Sequence, residues 1–145
     1  MAEGTLESTA RALVAKGKGI LAADESSGTI EKRFKSINLA STEENRRTYR
    51  EMLFTTKGAA EFISGVILFD ETIRQKAKDG TPFAELLSRQ GIIPGIKVDK
   101  GTKAMANFSE EKITEGLDGL RERTGPPRRR SRTERRLRAI RGLAG

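Results

Sequence analysis

The sequence contains no cysteine, no histidine and no tryptophan, and only 5% of its 145 residues are aromatic. Without thiols the chain can form no disulfide, which is typical of proteins from a reducing compartment. Without imidazole it can build neither the histidine-based serine and cysteine triads nor a histidine-ligated metal site. It also has no signal-peptide-like segment and no apolar run long enough to cross a bilayer. We therefore expect a cytoplasmic protein with no membrane contact.

Positive charge is concentrated at the carboxyl end of the chain. Residues 124–145 hold eight arginines and a single acid, so they carry nearly all of the net charge of +8, and residues 1–123 are almost neutral. We expect 124–145 to be a disordered or irregular arginine-rich tail. Three interpretations are open: a basic arm for nucleic acid or acidic lipid, a solvated end without a role, or translation in a shifted frame. The tail lacks the interleaved aromatic residues that suit single-strand binding, which makes nucleic acid the weaker interpretation.

Apolar runs at residues 19–23, 63–69 and 92–98 predict three buried strands. Between them, apolar residues at helical spacing predict amphipathic helices at 5–16, 29–36, 42–55, 71–78 and 82–89. This alternation predicts an α/β fold with parallel strands and right-handed crossovers. After a loop at 101–108, Ser109 is predicted to cap a last helix at 110–122.

Helix 42–55 begins with a predicted capping box at Ser41 and Glu44. Tyr49, Met52 and Leu53 are predicted to face inward. Arg46, Arg47 and Arg50 are expected on its solvated face, paired with Glu43 and Glu51 at helical spacing.

Ionisable residues follow the predicted strands where each one ends. Asp24 comes directly after the first strand, and Lys97 lies near the end of the third. Parallel α/β enzymes place catalytic groups at this edge of the sheet, and a carboxylate there can carry protons. Ser26 and Gly28 precede helix 29–36, so hydroxyls and amides at its start could hold a phosphate. The simpler interpretations are that Asp24 is a helix cap and Lys97 a surface cation.

Five segments, in the same order, are similar to class I fructose-1,6-bisphosphate aldolases: residues 19–33, 42–47, 65–72, 95–101 and 116–120. The resemblance covers about residues 5–123 and implies the N-terminal portion of a (β/α)8 TIM barrel. A complete barrel needs about 250 residues, so we expect a partial barrel with about the first three strands. The resemblance therefore divides the chain into a barrel portion at residues 1–123 and a tail at residues 124–145. Because the resemblance stops near Arg123, it favours the shifted-frame interpretation of the tail.

The resemblance implies a lyase of glycolysis that acts on a sugar phosphate, forms a lysine Schiff base and needs no metal or other cofactor. Such enzymes reversibly cleave fructose 1,6-bisphosphate into dihydroxyacetone phosphate and glyceraldehyde 3-phosphate. The family is typically homo-oligomeric.

The resemblance also implies a role for each matching site residue. Asp24 corresponds to the catalytic aspartate beside the Schiff-base amine, and Lys97 to a lysine that contacts the substrate. Ser26, Thr29 and Arg33 correspond to positions near the distal phosphate, although the family often has serine at Thr29. The Schiff-base lysine and the catalytic glutamate are expected beyond residue 123, so this chain alone should be inactive. The alternatives are a nucleic-acid-binding protein that uses the tail and a subunit that completes a barrel with another chain.

Overall fold

The computed structural model describes residues 5–121. The chain divides into two compact units between Lys97 and Val98. The predicted arginine-rich tail at 124–145 lies outside the described residues, and so does the nucleic-acid interpretation that depends on it. Within the described part, no helix combines the length and apolar character needed to cross a bilayer.

The first unit is built on a sheet of three parallel strands in the order β1-β2-β3. They are β1 (Gly19–Ala23), β2 (Ile63–Leu68) and β3 (Ile93–Ile96). The predicted strands and their parallel pairing are confirmed. Because Ala23 pairs with Leu68 and Leu68 with Ile96, the three strands end level at one edge. This edge is called the carboxyl edge below.

Between residues 5 and 97, six helices accompany the strands: α1 (Leu6–Leu13), α2 (Ser27–Lys35), α3 (Glu43–Phe54), α4 (Ala59–Phe62), α5 (Asp70–Arg74) and α6 (Phe83–Arg89). The cap of α3 is Thr42, whose hydroxyl accepts a hydrogen bond from Asn45 N at 3.1 Å, so the predicted capping box at Ser41 is wrong by one residue. Helix α5 is shorter than predicted, because Gln75 turns extended and Lys76 bridges to Pro82.

The core of the first unit lies between the sheet, α3 and α6. The rings of Phe54 and Phe83 meet edge to face at 5.2 Å between centroids, an arrangement that aromatic pairs favour. Val66, Leu68 and Leu87 join this cluster from the sheet and α6. Of the residues predicted to face inward on α3, Leu53 packs against the core and Tyr49 is half-buried, but Met52 is exposed.

The second unit contains an antiparallel hairpin, β4 (Thr102–Met105) and β5 (Phe108–Thr114). The predicted loop at 101–108 and helix at 110–122 are therefore wrong. Asn107 takes a left-handed conformation, φ 66°, that turns the chain back on itself, and cross-strand pairing outweighs the local helix-cap signal at Ser109. The amide of Lys100 donates to the Glu115 carbonyl at 2.8 Å, which closes the base of the hairpin.

Candidate active site

Two of the predicted site residues meet at the carboxyl edge. The Lys97 ammonium lies 3.6 Å from the Asp24 carboxylate, and about three quarters of each side chain is buried. The amide of Lys97 donates to the Leu68 carbonyl at 2.9 Å, so parallel pairing continues one residue past β3 and fixes where Lys97 leaves the sheet. An amine and a carboxylate in this arrangement can exchange a proton with a ligand bound between the strand ends.

The predicted phosphate-site residues lie on the first turns of α2. The Ser26 carbonyl accepts from the amides of Thr29 and Ile30, at 2.9 and 3.0 Å, and so begins the helix. The Ser26 and Thr29 hydroxyls lie 3.1 Å apart on the exposed surface. Arg33 follows four residues after Thr29 and is also exposed. Two hydroxyls and a guanidinium near a helix N-terminus are groups that bind anions.

Sequence reasoning missed a buried ion pair beneath this segment. Arg50 was expected in solvent, but it is only 2% exposed and its guanidinium pairs with the Glu25 carboxylate. Glu25 also pairs with Arg33, and Arg50 lies 5.5 Å from the centre of the Tyr49 ring. The expectation that Arg50 is solvated is therefore wrong.

The signal for this burial was the spacing of residues on α3. Arg50 lies one helical turn before Phe54, the most buried aromatic residue of that helix, so both face the sheet. The other two arginines differ: Arg47 pairs with Glu51, as predicted, and Arg46 pairs with Glu71.

Arg46 holds Glu71 through two hydrogen bonds, at 2.8 and 2.7 Å. These bonds lower the pKa of Glu71, against the opposing effect of burial. A carboxyl group whose pKa is lower in the folded state contributes to stability. This contribution is fully present above the ordinary pKa of 4.5 and is lost as pH falls through the folded-state pKa. We expect the chain to lose stability as pH falls below about 4.5, and Glu71→Gln to lose less, in urea unfolding at each pH.

Arg46→Met provides the matched test because it removes the largest cause of the lowered pKa and leaves Glu71 in place. We expect it to flatten the pH dependence as Glu71→Gln does, and the double variant to add nothing further. An Arg46→Met profile as steep as that of the wild-type chain would show that the lowered pKa of Glu71 has another source.

Within residues 5–121, His, Cys, Asp and Glu side chains form no group of three or more that could hold a metal ion.

Comparisons with known proteins identify the family of this chain. The family model of "Fructose-bisphosphate aldolase class-I" matches residues 5–130. The chain is 62% identical over 118 residues to a "Probable fructose-bisphosphate aldolase class 1" of Xanthomonas axonopodis pv. citri, and this match covers 81% of the chain and 35% of that relative. It is 61% identical over 107 residues to "Fructose-bisphosphate aldolase 6, cytosolic" of Arabidopsis thaliana, covering 74% of the chain and 30% of the relative.

A solved structure agrees with these relatives. It is a fructose-bisphosphate aldolase from Plasmodium falciparum, in complex with TRAP and a small-molecule inhibitor. The TM-score is 0.76 at 59% identity, over 79% of this chain and 33% of the other.

Parallel strands joined by helical crossovers define the first unit as an α/β fold. The chain belongs to the class I fructose-bisphosphate aldolase family, a family of lyases. It spans about a third of the length of the relatives it matches.

Proposed function

We propose that this chain supplies part of the active site of a Schiff-base aldolase that cleaves fructose 1,6-bisphosphate to dihydroxyacetone phosphate and glyceraldehyde 3-phosphate. The observation that carries the proposal is the Asp24–Lys97 pair at the carboxyl edge, in a chain that belongs to the aldolase family. Asp24 is the proton carrier and Lys97 binds the substrate. Ser26, Thr29 and Arg33 hold one phosphate at the start of α2.

The three-stranded sheet is proposed to be the opening portion of a (β/α)8 barrel. Among the described residues, β1 and β3 each have one edge without a paired strand. A closed barrel pairs both edges of every strand, so further strands would join here. We also propose, from the family and the cytosolic Arabidopsis relative, that the protein acts in the cytoplasm and self-associates.

The phosphate-binding part of the proposal is tested with this chain alone. We expect Arg33→Met to weaken binding of fructose 1,6-bisphosphate about tenfold, because a charge-assisted hydrogen bond to the phosphate is lost. Isothermal titration calorimetry measures the affinity. Lys32→Met is the matched control, since it removes an equal charge from the adjacent position of α2, which is also exposed. Equal affinities of the two variants would contradict a phosphate site at Arg33.

The covalent step is proposed to need a lysine that follows the described residues in the family pattern. We therefore expect no borohydride trapping of dihydroxyacetone phosphate on this chain, and cleavage only when the segment that follows the match in the Xanthomonas relative is co-expressed with it. In that complex Asp24→Asn should lower the rate at least about 100-fold, the contribution of a positioned proton carrier. Asp118→Asn, at an exposed position, is the control. Trapping on this chain alone would contradict the assignment.

A further inference from the structure

The Arg50 guanidinium binds the main chain on both sides of Asp24. It donates to the Ala23 carbonyl and, at 3.0 Å, to the Glu25 carbonyl. Asp24 is the residue between these two carbonyls. One planar group that reaches from α3 therefore fixes the backbone immediately before and after the carboxylate that meets Lys97.

The Glu25 carboxylate anchors this guanidinium. Its side chain is only 10% exposed, and it accepts from Arg50 and from Arg33. The Glu25 side chain contacts Arg50 on α3, whereas the side chain of Asp24, the preceding residue, meets Lys97 at the strand ends.

Stability alone does not account for an arginine at this position. A buried ion pair is often no more stabilising than an apolar side chain of similar volume. The Arg50 Nε atom, moreover, is buried without a hydrogen-bond partner, although partners satisfy most buried polar groups. What arginine does provide is a rigid planar fork whose donors reach two carbonyls and a carboxylate from one side chain, a fixed geometry that the ammonium of lysine lacks.

We propose that Arg50 is a positioning residue for Asp24, with Glu25 as its anchor. The catalytic meaning of this role rests on the proposed function, whereas the geometric role is a property of the chain itself. Arg50 touches no reacting atom; it acts through the backbone of residues 23–25.

The test is the nuclear Overhauser effect between the Asp24 β protons and the Lys97 ε protons, measured in the full chain. We expect Arg50→Met to weaken this signal about threefold, because the Asp24 backbone is no longer held within a few tenths of an ångström. Arg46→Met is the matched control: it removes an arginine one turn earlier on α3 that pairs with Glu71. The control should leave the signal unchanged.

Arg50→Lys guards against loss of folding. It keeps the charge but loses the planar fork that holds both carbonyls, so a folded Arg50→Lys variant should show a signal between those of wild type and Arg50→Met. A folded Arg50→Met or Arg50→Lys variant with the wild-type signal overturns the proposal, and so does an equal loss in Arg46→Met.

Calorimetry with fructose 1,6-bisphosphate separates this proposal from the proposed function. If Arg50→Met weakens the Asp24–Lys97 signal but the wild-type chain does not bind the sugar phosphate, the positioning role is supported and the proposed function is refuted. If the wild-type chain binds it and Arg50→Met leaves the signal unchanged, the positioning role alone is refuted.

Discussion

Gly65→Ala is expected to destabilise the first unit by about 2–3 kcal/mol, the upper part of the range for overpacked interiors. A Cβ atom at Gly65 would overlap the Leu13 side chain of α1 and lie 3.2 Å from the Ile93 carbonyl oxygen. Leu13 can move in part, but the carbonyl belongs to a paired strand that would have to give by a few tenths of an ångström. Urea unfolding followed by circular dichroism measures the loss.

Gly95→Ala is the matched control in the neighbouring strand. Its Cβ would meet only the Val66 carbonyl, at 3.5 Å, which is an ordinary van der Waals contact. We expect a cost several-fold below that of Gly65→Ala. Equal costs for the two variants would mean that glycine matters in this sheet for chain conformation and not for the close approach of α1.

Glycine at residue 65 also locates α1 relative to β2. The Ser64 hydroxyl, next in the strand, donates to the Leu13 carbonyl at 2.6 Å and binds the last turn of α1 to the sheet. The helix can come this close only because residue 65 has no side chain. The Gly65→Ala experiment therefore measures how much the packing of α1 contributes to the first unit.

The strands could be predicted from the sequence because each one is a short apolar run that ends in polar or charged residues. Residues 19–23 and 63–68 need no long-range information to be recognised as buried strands. Parallel pairing follows from the helices between them, and it places Asp24 and Lys97 at one edge. This much of the site follows from topology.

The hairpin could not be predicted in the same way because its local signals conflict. Ser109 followed by Glu110, Glu111 and Lys112 has the composition of a helix start. In the structure β4 pairs with β5, which brings residues such as Lys103 and Ile113 together, and no local pattern reveals this pairing. Strand formation depends on this partner more than on intrinsic preference.

Arg50 shows a different limit of sequence reasoning. Charged residues on a helix are usually solvated, and a pattern based on polarity assigns Arg50 to the surface. Its burial depends on the carbonyls at residues 23 and 25, which a distant strand end supplies. Such a residue can be recognised only when the apolar stripe that includes Phe54 is followed back one turn.

Phe54→Ala is expected to destabilise the first unit by about 3–5 kcal/mol, the usual cost of truncating a buried phenylalanine. Phe54 is 1% exposed and packs edge to face on Phe83, so its removal leaves a cavity between α3 and α6. Met52→Ala is the control on the same helix; Met52 is 57% exposed and should cost no more than about 0.5 kcal/mol. Urea unfolding measures both, and equal losses would contradict the packing described.

The Phe54→Ala variant also separates the effect of core packing from the positioning of Asp24. Phe54 lies one turn after Arg50, so loosening α3 from α6 should weaken the Asp24–Lys97 Overhauser signal only as the fold itself is lost. Arg50→Lys should weaken the same signal at a smaller loss of stability, because it leaves the aromatic core intact. A signal that falls only with the folded fraction in both variants would mean that Arg50 merely holds α3 in place. A signal that falls further in Arg50→Lys would mean that its guanidinium places Asp24.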